Sequence, residues 1–290
     1  MKKILTVFIL SLLIAPLFAQ EESSEQKSSN PVSNTFGTEM LIDNQTVMSP
    51  YKGGLVLQIQ HRFSLIEDIS NLYGIYGSAN TRLAMMYGIT DRLMVGFGTT
   101  KDYKLQDFSW KYLILQQTEN NSMPVSLSYY GNLVIDARAE DQFGPEGDFK
   151  FIHRLSYFTQ FIVARKFSEN FSAQISPSFL YMNTVKRYSD TEGYKNFNLG
   201  LHAGAQAHLF GNHSLMLEWD QLLTKQDTGD QLEQPKPNLS LGWEIGTGTH
   251  TFQIFAANYN LIINQYNLLY NTNDFAKGDY LFGFNITVRF

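Results

Sequence analysis

The chain closes on the run from Tyr280 to Phe290, in which Tyr280, Phe282, Phe284, Ile286, Val288 and Phe290 occupy every second position. Successive side chains of a strand point to opposite faces, so these residues share one face while Leu281, Gly283, Asn285, Thr287 and Arg289 share the other. A strand with lipid outside and a polar lumen inside has this alternation, and the pattern predicts the closing strand of a membrane β-barrel. Phe284, Ile286, Val288 and Phe290 then form the assembly signal and the lipid-facing seam against the first strand.

The amino-terminal end fits the same destination. Met1-Lys2-Lys3 is a short positive head, Ile4 to Leu17 is almost wholly apolar, and Ala19 offers a small residue at a cleavage point, which predicts a signal peptide over residues 1–19. No later stretch reaches the roughly 20 apolar residues of a spanning helix, so any crossing must use strands. The absence of cysteine excludes disulfides and thiolate metal sites. The formal charge of −5, with two lysines inside the expected signal, argues against nucleic acid as a partner. The 16 Tyr, 22 Phe and 21 Gly suit aromatic girdles and a crowded small lumen.

Residues 20–34, QEESSEQKSSNPVSN, are polar and aperiodic, and they predict a disordered periplasmic leader. Residues 35–50 mix Phe36, Met40, Leu41, Ile42 and Val47 with polar groups, which suits either an extra strand or a segment folded into the lumen. From Gly54 the chain settles into strands of about 8 to 12 residues, the length that crosses a membrane when tilted. The expected architecture over residues 35–290 is all-β: an antiparallel up-and-down barrel of about 12 strands, with 10 to 14 admissible. Pro177 lacks a ladder donor and suggests a bulge in an otherwise regular strand. The connections alternate long and short, clearest after Ala137, which predicts short turns and both termini at the periplasmic end.

Three stretches carry a resemblance. They are Met40 to Thr46 running on to Gly53-Gly54-Leu55 and His61-Arg62-Phe63, then Arg82 through Tyr87-Gly88-Ile89-Thr90-Asp91-Arg92-Leu93 to Lys111-Tyr112, and the run from His250-Thr251-Phe252-Gln253. Together they resemble an uncharacterised family of Bacteroidota outer-membrane β-barrels of unknown function. The likeness spans nearly all of the chain after the leader, and the hairpin YGITDRL with the ending GFNITVRF is its most specific part. Ser64 stands where a glycine is expected, and Thr99-Thr100 replaces a more polar pair. The resemblance implies the fold and no functional residue.

Strand parity assigns Arg62, Arg82, Arg154, His202, Glu218, Asp220, Glu244 and Arg289 to a polar network on the inner face, where opposite charges can offset one another's burial. Phe158, Leu180, Met216 and Phe255 share that parity, so the interior is expected to be partly filled. A barrel lipase would need Ser and His on the lipid-facing surface. His202 and His208 point inward, His213 and His250 fall in short turns, and His61 and His153 lie near strand ends without an evident partner, so no catalytic residue is assigned and no enzyme is expected. Glu218 and Asp220 on one strand face, with Asp227 and Asp230 in the next loop, lack a calcium-loop spacing, and no metal or cofactor is expected.

The sequence therefore leads to an outer-membrane barrel of a Gram-negative cell with the lipid bilayer and the barrel-assembly machinery as partners. Its expected role is a narrow channel or transport-associated barrel with a polar, partly filled lumen. The alternative is a non-conducting structural barrel that docks a periplasmic or surface partner.

Overall fold

The computed structural model describes residues 29–67, 69–144, 148–189 and 191–290. The expected signal and most of the leader lie outside these residues. Twelve strands follow in order: β1 (Leu55–Leu65), β2 (Asn80–Gly88), β3 (Leu93–Thr100), β4 (Leu105–Leu115), β5 (Ser126–Asp136), β6 (Leu155–Ser168), β7 (Phe171–Met182), β8 (Phe197–Phe210), β9 (His213–Leu222), β10 (Asn238–Gly246), β11 (His250–Ala257) and β12 (Leu281–Arg289). Each pairs with its sequence neighbours, and β1 pairs with β12 to close the barrel. Closure leaves no exposed strand edge, which is the condition for placing strands in lipid.

The seam shows how the period-two pattern becomes a wall. Leu57 faces Val288, Ile59 faces Ile286 and His61 faces Phe284 on the outside, while Gln58 faces Thr287, Gln60 faces Asn285 and Arg62 faces Gly283 within. Leu55 and Phe290 exchange backbone hydrogen bonds of 3.3 and 2.8 Å, so the last residue ties the end of the seam. Outward residues such as Leu83, Phe97, Trp110, Phe161, Phe179 and Ile254 are exposed. In water they would be a liability; in hydrocarbon they are the lipid contact. Among the described residues no helix is long and apolar enough to cross a membrane.

Two expectations change. Pro177 makes no bulge: the β6–β7 pairing runs from Gln160↔Ser178 to Val163↔Ile175 in one register, and the shifts lie instead at Lys166/Ser168 and three other places. A missing donor interrupts a ladder locally without adding a residue to it. The leader is also not free to its end, because Val32 N–H donates to Gln117 O at 2.7 Å and Glu119 N–H to Asn30 O at 3.0 Å. The turn after β4 offers backbone groups that an extended segment can pair with, through an isolated Pro31↔Thr118 bridge.

Long connections, including 137–154, 183–196, 223–237 and 258–280, lie at the end opposite Leu55 and Arg289, and short ones, such as 89–92, 211–212 and 247–249, lie at the same end as those residues; 101–104, short at the first end, and 116–125, long at the second, depart from the expected alternation. The β11–β12 connection carries a seven-residue helix, α1 (Asn264–Tyr270), whose residues 265–269 are buried.

Candidate functional site: a plugged lumen

Of the two alternatives for residues 35–50, the structure takes the second. Residues 39–46 form a tight hairpin with a Met40↔Gln45 bridge, closed by Leu41 N–H to Asn44 O at 2.9 Å and Thr46 N–H to Glu39 O at 3.0 Å. Leu41, Ile42, Asn44 and Thr46 are fully buried. The hairpin therefore sits inside the barrel.

Its tip is held by one carboxylate. Glu218 on β9 accepts the backbone N–H groups of Ile42 at 3.1 Å, Asp43 at 2.9 Å and Asn44 at 3.0 Å. Three amides converging on one anion satisfy donors that the lumen would otherwise strand without water. Beside it, Asn44 Nδ2 donates to Asp220 at 2.6 Å. Asp43 pairs with Arg62 at 3.2 Å, and neither side chain has any solvent exposure. Arg62 also donates to Asn285 at 2.9 Å and lies 4.4 Å above the Phe255 ring. Asn285 returns a bond to Ile42 O at 2.7 Å.

The rim of the hairpin is bound as well. Arg289 reaches Glu39 at 2.9 Å, Lys111 donates to Glu39 O at 3.3 Å and to Gln45 Oε1 at 3.2 Å, and Gln206 accepts from Gly37 N–H at 2.9 Å. Glu244 takes Gln206 at 2.7 Å and Gln253 at 2.8 Å. The wall is shaped to the plug: a Cβ on Gly204 would stand 2.6 Å from Leu41 Cδ1, and one on Gly242 would stand 3.0 Å from Ile42 Cδ1. Side chains at those two inward positions would collide with the hairpin or crowd it.

From the other end α1 packs into the lumen. Gln265 donates to Asn132 at 3.2 Å and Ser156 at 3.3 Å. Asn267 donates to Asp43 at 3.0 Å, so the two inserted segments meet at Asp43.

The sequence-predicted residues distribute as follows. Arg62, Arg82, His202, Glu218, Asp220 and Glu244 are buried on the inner face. Arg289 stands at the mouth with a quarter of its side chain exposed. Arg154 precedes β6 in a one-turn helix, Phe151–Arg154, and bonds the carbonyls of Asp136 and Arg138 at the opposite mouth. The charges do not neutralise one another across the lumen. Arg62 and Arg289 pair with plug residues, and Arg82 pairs with Asp107 at 2.7 Å, because Gly98 between them on β3 leaves the space that its Cβ would take from both. Sequence reasoning missed Glu39, Asp43, Asp107 and Lys111. Asp107 and Lys111 were visible as inward parity on β4; the acids of the plug carried no periodicity to place them.

Two histidines complete the comparison. His208 keeps the inward parity, lining a pocket with Gly37, Gln206 and Ser214, and is exposed there at the mouth. His61 lies well within β1 and has partners, Thr81 Oγ1 at 2.9 Å and a stacked Phe284 ring at 5.0 Å. Within the lumen Ser178 Oγ is 2.9 Å from His202 Nε2, and His202 Nδ1 is 2.9 Å from Asp220. That order of groups is the one serine hydrolases use. Here all three are buried, and a Cβ on Gly200 would touch both Ser178 Oγ and Leu268 of α1. The three groups form a buried hydrogen-bonded chain across three adjacent strands.

A likeness to one solved barrel agrees with this architecture. The structure aligns with the NanC porin at a TM-score of 0.52 and 9% identity, covering 81% of this chain and 98% of that one. It aligns with the COG4313 outer membrane channel of Pseudomonas putida F1 at a TM-score of 0.48 and 10% identity, covering 93% and 100%. The first likeness speaks to fold alone. No curated protein matches the sequence. A family model matches residues 36–290, plug and barrel together, and the chain belongs to the family described as membrane bound beta barrel domain (DUF5777).

Proposed function

We propose that the protein is a narrow channel of a Gram-negative outer membrane, with both termini periplasmic, whose resting state is closed by its own residues 36–47. The observation that carries this reading is the Glu218 clamp. Glu218 holds the plug only through hydrogen bonds to backbone amides, a set that can be released and remade without breaking the wall. The barrel ladder runs through every strand independently of the plug. The polar inner face supports the same reading, since it would be solvated once the hairpin left.

The rival reading, a docking barrel that never conducts, is favoured by the strapping of residues 30–32 to the periplasmic turn, which would present the leader to a partner. Planar-bilayer recording separates the two. The channel reading expects rare openings of the intact protein and frequent ones in Glu218→Gln, with solute entry in liposome swelling. Silence from both proteins in both assays would overturn it. Pull-down with and without residues 20–34 would then test the docking reading.

A further inference from the structure

At the end opposite Leu55 and Arg289, the connections of β3–β4, β5–β6 and β7–β8 and helix α1 enclose a cavity of about 420 Å³. That lies within the range of small-molecule sites, roughly 300 to 1,000 Å³. Its lining is unusual for a loop crevice in two respects. One is charge: Arg138, Arg154 and Lys186 face a single carboxylate, Asp136, among the described lining residues. Arg138 uses that carboxylate fully, through bonds of 3.0 Å from Nε to each oxygen and 2.7 Å from Nη2. Arg154 is held by the carbonyls of Asp136 and Arg138 and flanked by the rings of Phe143 at 4.9 Å and Phe149 at 4.8 Å. Carbonyls and ring faces orient a guanidinium without neutralising it, and among the described residues no carboxylate pairs with Arg154.

The other respect is the wall of phenols. Tyr103 has φ 58, a left-handed backbone that costs a non-glycine residue energy and persists where the surroundings hold it. The conformation places its ring 4.4 Å under the Arg138 guanidinium and 5.1 Å from Tyr266, with Tyr270 stacked at 6.4 Å. Burial pushes the Tyr103, Tyr266 and Tyr270 phenols upward, so the wall is neutral and adds no competing anion.

From this pairing of an oriented guanidinium that meets no carboxylate among the described residues with a wall of mutually tilted tyrosine rings, we infer that the cavity binds a small carboxylate carried on a ring. The carboxylate takes the fork of Arg154 with Lys186 nearby, and the ring lies against the tyrosines. A ring-borne carboxylate has two common sources, aryl acids and sugar acids, and both fit the same chemistry. The site is independent of the proposed channel, because occupancy can be read in protein that never conducts.

Isothermal titration of the refolded full chain in detergent provides the test, with 4-hydroxybenzoate and glucuronate as probes, phenol and glucose as their uncharged counterparts, and inorganic phosphate as a ringless anion. One of the two acids is expected to bind at least about tenfold more tightly than its uncharged counterpart and than phosphate, identifying the source. Arg154→Gln and Tyr103→Ala should each weaken it about tenfold, while Lys52→Gln at the other end of the barrel should not. Heat-modifiable gel mobility shows whether each variant is folded, and Lys186→Gln, with a smaller loss expected, serves if Arg154→Gln does not fold. Absence of binding by both acids, equal binding of acid and uncharged ring, phosphate binding as tight as the acids, or unchanged affinity in a folded Arg154 or Lys186 variant would overturn the assignment.

Discussion

Arg62 in the barrel wall and Asp43 in the plug form a 3.2 Å ion pair from which water is wholly excluded. A pair like this contributes little beyond an apolar contact of the same volume, but breaking it leaves a naked charge in a dry site. Asp43→Ala should therefore destabilise the plugged state by about 3 to 5 kcal/mol, whereas Asp43→Asn, which keeps a polar partner, should cost less. Limited proteolysis within residues 36–47 reads the difference, and equal protection in the wild type and both variants would refute the pairing's role.

Space matters as much as charge. Gly204→Val places side-chain atoms where Leu41 Cδ1 now lies, 2.6 Å from the position of the added Cβ. It should expel the hairpin tip and raise bilayer conductance without lowering membrane levels, since the β8 ladder is untouched. Leu41→Ala added to Gly204→Val should restore the resting block at least in part. A failure of that rescue would separate the glycine from the plug.

Insertion and plugging should be separable on one strand. Ile286 faces lipid and Asn285 faces the plug, at adjacent positions of β12. Arginine at Ile286 should cost about 2 to 4 kcal/mol at mid-membrane depth and send the chain to periplasmic degradation. Asn285→Ala should reach the membrane at near wild-type levels but lose three bonds, to Arg62, Ile42 and Gln253, and conduct more often. Fractionation with heat-modifiable mobility measures the first effect and single-channel recording the second.

These contrasts rest on what was legible in the chain and what was not. The twelve strands and the identity of the inward face follow from alternation, because a wall between lipid and a polar interior imposes period two on every crossing. The plug does not share that constraint. Residues 39–46 earn their position from contacts with side chains more than 100 residues away, such as Glu218 and Gln253, and no local period records such partners. Strand parity therefore placed Arg62 and Glu218 inside but could not say that a backbone would meet them there.

Alkaline pH should loosen α1. Burial raises the Tyr266 and Tyr270 phenols above their ordinary value, so the folded state holds these protons more tightly than the unfolded loop. Their contribution is fully present below about pH 10 and is lost as pH rises through the raised values. Protease sensitivity of the β11–β12 connection should increase above about pH 10, and Tyr266→Phe with Tyr270→Phe should flatten that rise. An unchanged alkaline transition in the double variant would contradict it.

The Ser178–His202–Asp220 hydrogen-bonded chain should be chemically silent. Its hydroxyl is enclosed between the wall and α1, so a fluorophosphonate probe should leave Ser178 unmodified in the folded barrel, as read by intact mass and peptide mapping. Labelling at Ser178 that disappears in His202→Ala would give these groups a catalytic role.

The claim that residues 36–47 close a conducting barrel can be tested most directly by a reversible tether. The chain has no cysteine, and Leu41 lies against Gly204, so Leu41→Cys with Gly204→Cys can link plug to wall without competing thiols. The account predicts a silent bilayer under oxidising conditions and reversible openings in the same membrane after reductant. Equal conductance in both states, or none in either, would contradict it.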